Sequence, residues 1–100
     1  VWYNINAKTL QIACYYELGE YDALESLLQA FKMYIRRERS LTPDRKIHYL
    51  NLIKFTNTLI KIQPRDKNRL EKLYEEIKNT KGVVSKPWLE EKITLLLKKK

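Results

Sequence analysis

Residues 20–39 read EYDALESLLQAFKMYIRRER, and this stretch decides the fold class. Tyr21, Leu24, Leu28, Phe31 and Ile35 recur at three- and four-residue spacing, the period of one helix face, and Leu27 and Tyr34 widen that face. Glu20, Asp22 and Glu25 come early, while Lys32, Arg36, Arg37 and Arg39 come late. That order complements the helix dipole and supports both direction and boundaries. At ~1.5 Å per residue the helix is roughly 30 Å long.

Upstream, a first helix is expected from roughly Asn6 to Leu18. Asn4 or Asn6 can cap its start, and Gly19 can take the left-handed conformation that closes it. Its apolar residues fall on two stripes, Ala7/Leu10/Cys14/Leu18 and Ile12/Tyr15/Tyr16. A helix apolar on two sides is expected to be covered on both.

Downstream, Thr42, Pro43 and Asp44 form a start signal: an N-cap, a proline at the first helical position and an acid in the first turn. The third helix then runs to about Ile62. It carries Ile47, Tyr49, Leu50, Leu52, Ile53, Phe55, Leu59 and Ile60, the pattern of a central helix. Pro64 stops it and opens a fourth helix, about Arg65 to Asn79, whose apolar stripe is only Leu70, Leu73, Tyr74 and Ile77. A loop around Gly82 leads to a fifth helix from about Lys86 to Lys98. Ser85 stands at its cap, and Trp88, Leu89, Ile93, Leu96 and Leu97 face inward. The expectation is an all-α chain of about five helices in one domain over residues 1–100, built of antiparallel helical hairpins.

Composition agrees. One hundred residues suit a single modest core, and two glycines and three prolines leave little room for a many-turned β architecture. One cysteine excludes an intramolecular disulfide, and one histidine leaves no His/Cys cluster for zinc. No apolar run reaches membrane-span length and no signal-peptide pattern opens the chain, so the expected location is cytoplasmic. Opening on Val1-Trp2-Tyr3 without Met, the sequence is expected to be the C-terminal piece of a longer protein.

Tyr15, Gly19 and Tyr21 spell Y-x-x-x-G-x-Y across the first interhelical turn, and residues 7–31 have the outline A-x-x-L…Y-x-x-x-G-x-Y-x-A-L…F. This resembles a tetratricopeptide repeat hairpin, in which glycine ends the first helix and flanking aromatics wedge between the two. Lys8 stands where the family has tryptophan and Arg36 where it has its terminal proline. The wider pattern is similar to C-terminal regions of bacterial proteins built from tetratricopeptide-like arrays. The resemblance implies a short solenoid module at the end of such an array, with Tyr15, Gly19 and Tyr21 as its structural turn. It implies no activity.

Catalysis finds no foothold. His48 shares a stripe with Leu52, Phe55 and Leu59 and reads as a histidine at the core edge, with Asp44 one turn away. Cys14 lies among apolar residues and is expected to be a buried thiol. Glu75/Glu76 and Glu90/Glu91 are adjacent pairs that point about 100° apart and cannot converge. Phosphate loops, nucleophile elbows and H-E-x-x-H are absent. The reading is a non-enzyme without catalytic residues, metal or cofactor.

Charge is the functional signal that remains. Residues 1–50 carry seven basic and six acidic groups, and residues 51–100 carry thirteen and six. Arg36, Arg37, Arg39, Arg45 and Lys46 gather around the second interhelical turn. Two functions follow. One is a helical-repeat module for protein–protein interaction or scaffolding, its partner another protein or upstream repeats, with self-association through the N-terminal face (Val1, Trp2, Tyr3, Ile5 and part of the first helix). The alternative is a basic domain that binds nucleic acid through phosphate contacts from those five residues.

Overall fold

The computed structural model describes the backbone of residues 2–99 and the side chains of residues 5–99. Five helices run in order: α1 (Trp2–Leu18), α2 (Tyr21–Arg37), α3 (Pro43–Lys61), α4 (Lys67–Asn79) and α5 (Lys86–Lys98). Among the described residues there is no strand. The all-α expectation holds.

The chain divides into two compact units, Val1–Thr42 and Pro43–Lys100. The division falls at the Thr42-Pro43 start signal.

In the first unit α1 packs on α2. Their turn is a Schellman closure: the Gly19 amide donates to Tyr16 O at 3.1 Å and the Glu20 amide to Tyr15 O at 3.0 Å, with Gly19 at φ +74°. The helices are antiparallel, because Lys8 early in α1 lies over the Tyr34 ring late in α2. The 20–39 pattern is realised on α2, which buries Leu24, Leu28, Phe31 and Ile35. It ends two residues short of Arg39, with Glu38 extended as its C-cap. The first helix begins at Trp2, so Asn6 lies inside it and is no cap.

In the second unit α3 packs on both α4 and α5, and those two pack on each other. The Lys54–Glu76 ion pair (3.5 Å, both side chains exposed), with the His48 carbonyl bonded to the Val84 amide beyond the end of α4, sets α3 antiparallel to α4. Burial falls on Leu52, Ile53, Phe55, Thr56 and Leu59 of α3, Leu70, Leu73 and Ile77 of α4, and Leu89 and Ile93 of α5. The start of α4 differs from the sequence reading. Asp66, rather than Pro64 and Arg65, opens the helix, its carboxylate accepting from the Arg69 amide at 3.2 Å. Ser85 does precede α5 but makes no side-chain cap bond, because its backbone is left-handed at φ 59°.

Lysines close the α4–α5 hairpin at both ends. Lys86, the first residue of α5, donates to Lys78 O at 2.9 Å and Thr80 O at 3.1 Å, where α4 ends. Lys67, the first residue of α4, donates to Leu96 O and to Lys99 O, the latter at 2.8 Å, where α5 ends. Each helix thus receives a cation at its negative pole, supplied by the start of the other.

Candidate functional site

The two stripes of α1 meet different fates. Ile5 and Ile12 are fully buried, with Thr9 and Tyr16 half-buried beside them. Ala7, Leu10, Cys14 and Leu18, on the opposite side, are all exposed, Leu10 at 68% and Leu18 at 72%. Within this chain only the Ile5/Ile12 side of the helix is covered among the described residues. The Cys14 thiol is exposed and free, because its stripe faces away from α2. Ile5, expected on an uncovered face, is in the core. The side chains of Val1, Trp2 and Tyr3, the rest of that expected face, lie outside the described residues.

At the first turn Gly19 acts as expected, but the aromatic pair is Tyr16 and Tyr21, ring centroids 5.8 Å apart and tilted 45°, rather than Tyr15 and Tyr21. Tyr15 contributes its carbonyl to the turn. Burial pushes the Tyr16 hydroxyl up from its ordinary 10.0 to about 12, with Tyr21 and Glu17 adding to the rise. Tyr16 is thus a neutral wedge at physiological pH.

The basic residues expected to act together are divided. Arg36, Arg37 and Arg39 belong to the first unit and Arg45 and Lys46 to the second. Beside the first three, Glu38 turns its carboxylate toward the Ser40 amide (3.3 Å). That contact holds its pKa below the usual carboxylate range against its burial, with the Tyr34 hydroxyl donating to it as well. Tyr34 in turn is pushed up, first by burial and then by Glu38.

His48 is half-buried, and its imidazole lies against Gly82, where a Cβ would overlap the ring. Its carbonyl accepts from the Val84 amide at 3.2 Å, and Asn51 Nδ2 donates to Gly82 O at 3.1 Å. The histidine is thereby a packing surface for the α4–α5 loop, a role the sequence signals only through the isolated glycine. A surface depression lined by Asn68, Glu71, Lys72 and Glu75 belongs to the outer face of α4, where the charges lie side by side without converging. Among the described residues no group of three His, Cys, Asp or Glu gathers as a metal site, and no helix is long and apolar enough to cross a membrane.

The Ala7/Leu10/Cys14/Leu18 face is the site the geometry singles out. It is apolar, continuous over three helical turns and backed by a packed core. No family model matches the chain, and no curated protein or solved structure matches it.

Proposed function

We propose that the chain is a non-catalytic helical module for protein–protein interaction or scaffolding, of tetratricopeptide-like type, that docks a helical partner or a neighbouring repeat on the outer face of α1. The observation that carries this reading is the exposure of Leu10 and Leu18 together with Ala7 and Cys14 on one helix face. An exposed apolar stripe costs solubility, and covering it gains about 25 cal/mol per Å² before the cost of association. The Gly19 closure supports the repeat-type reading, because it gives the Y-x-x-x-G-x-Y signature the glycine geometry that signature requires.

A face that accepts an amphipathic helix also accepts a second copy of itself at high concentration. Sedimentation velocity over a rising concentration series is expected to show reversible self-association. The Leu10→Lys/Leu18→Lys variant is expected to stay monomeric with an unchanged melting temperature, since both side chains already lie in water. A wild-type chain that remains monomeric throughout removes this face as a docking surface.

A further inference from the structure

The division into units also divides the charge. Val1–Thr42 carries five basic and five acidic residues, whereas Pro43–Lys100 carries fifteen and seven, so the second unit holds the whole net charge of +8. Within that unit the cations are not spread evenly. The Lys67 bonds to Leu96 O and Lys99 O bring the end of α5 beside the start of α4. The end of α3 enters the same region through the short 62–66 connection. One end of the three-helix unit therefore presents exposed Lys61, Arg65, Arg69, Lys98 and Lys99, drawn from three helices and a turn.

Part of the backbone polarity at this end is already answered. Asp66, the acidic residue among these cations, directs its carboxylate to the Arg69 amide, and Lys67 covers the carbonyls at the end of α5. The Asp66 carboxylate and two carbonyls at the end of α5 are thus engaged inside the unit, while Arg65, Arg69, Lys98 and Lys99 are exposed.

We infer that this pole of the second unit binds the phosphate backbone of double-stranded nucleic acid, independently of sequence. This cluster lies wholly within one unit, whereas Arg36, Arg37, Arg39, Arg45 and Lys46 belong to two. A duplex fits better than a single strand, because no exposed aromatic stands among these cations to stack a base. It also fits better than a lipid surface. Polybasic membrane binders pair their charge with apolar side chains that enter the bilayer, and Leu95 on α5 is the only exposed large apolar residue that α4 and α5 offer.

The test uses the full chain and a fluorescein-labelled mixed-sequence DNA duplex, titrated across a salt series. Four phosphate contacts, from Arg65, Arg69, Lys98 and Lys99, give a log–log salt slope of about −3.6, or a loss of roughly 150-fold in affinity between about 50 and about 200 mM salt. The variant with all four changed to Gln is expected to lose at least about tenfold in affinity at ~50 mM salt and most of that slope. Arg36→Gln/Arg37→Gln/Arg39→Gln, which removes a comparable charge from the first unit, is expected to change affinity by less than about threefold. Circular dichroism checks that both variants keep their helix content. Absence of duplex binding by the wild type at ~50 mM salt overturns the inference, and so does an equal loss in both variants, which would make it bulk charge rather than a pole. Binding to phosphatidylserine vesicles without binding to the duplex also overturns it and assigns the pole to a membrane surface. Leu10 and Leu18 are untouched in every arm, so the protein-docking reading stands or falls separately.

Discussion

Between α1 and α2 the chain turns in two residues, Gly19 and Glu20, and closes with backbone hydrogen bonds. Between α4 and α5 it takes six residues, Thr80–Ser85, and the hairpin is closed by lysine side chains at both ends. A two-residue turn sets the relative placement of its helices through the backbone, leaving their outer faces free to diverge in chemistry. A longer loop does not, so the register of α4 on α5 falls to side chains and to the loop's own attachment to α3. The difference also tracks charge: the backbone-closed unit is neutral, and the side-chain-closed unit is strongly basic.

The two glycines offer the sharpest way to break this comparison, since their backbones are nearly identical, φ +74° at Gly19 and +72° at Gly82. A Cβ at Gly82 would overlap the His48 imidazole, whereas a Cβ at Gly19 has open space around it. Gly82→Val is therefore expected to cost about 3 kcal/mol, combining left-handed strain with overpacking. His48→Ala in that background should return the packing part and leave the strain. Urea denaturation of the single and double variants measures both parts.

The lysine bonds rank next. Lys86→Met and Lys67→Met keep an apolar stem but remove a cation that serves two carbonyls. Each is expected to lose about 1–2 kcal/mol by the same measurement. Gly19→Val follows at about 1 kcal/mol, from backbone strain alone. If Gly19→Val costs as much as Gly82→Val, the surroundings of the two turns do not matter and the contrast drawn above fails.

The smallest effect is a gain. Thr56 is fully buried and its Oγ1 has no hydrogen-bond partner, while Thr58, two residues on, donates to Lys54 O at 3.0 Å in the usual helical manner. Thr56→Val keeps the shape and removes the unsatisfied hydroxyl. It is expected to raise stability by about 0.5–1 kcal/mol, read as a higher melting temperature.

Much of the fold was legible because local signals agreed with one another. On α2 the 3.6-residue period and the charge order coincided, and the buried set Leu24, Leu28, Phe31 and Ile35 follows directly. Gly19 was legible because a glycine after a periodic run has few other uses. The N-terminal boundaries were harder. Asp66 caps α4 from inside a stretch where Pro64 and Arg65 compete for the start, and Ser85 has a capping side chain on a backbone that cannot use it.

The sites were less legible, because exposure depends on tertiary neighbours. Two apolar stripes on α1 imply two covers by periodicity, and nothing local tells which stripe stays bare. Cys14 reads as buried or exposed according to that choice alone. The cationic pole escaped for a related reason. Arg65, Arg69, Lys98 and Lys99 are some thirty residues apart in sequence, and only the bonds from Lys67 to the end of α5 bring them together. Arg36, Arg37, Arg39, Arg45 and Lys46, close in sequence, were the more visible cluster and fall on either side of the boundary between the two units.

The paired lysines also shape the chemical reactivity of this surface. An amine seated against two carbonyls and half-buried is less open to an incoming acyl group than one held in solvent, so Lys67 and Lys86 are shielded members of a lysine-rich chain. Acylation at either position removes the charge and most of the donors at once, and it unfastens the hairpin at the end where it occurs. The exposed lysines around them can be modified without that consequence. The same residue type therefore fastens the hairpin at two positions and lies in solvent at others, such as Lys98 and Lys99.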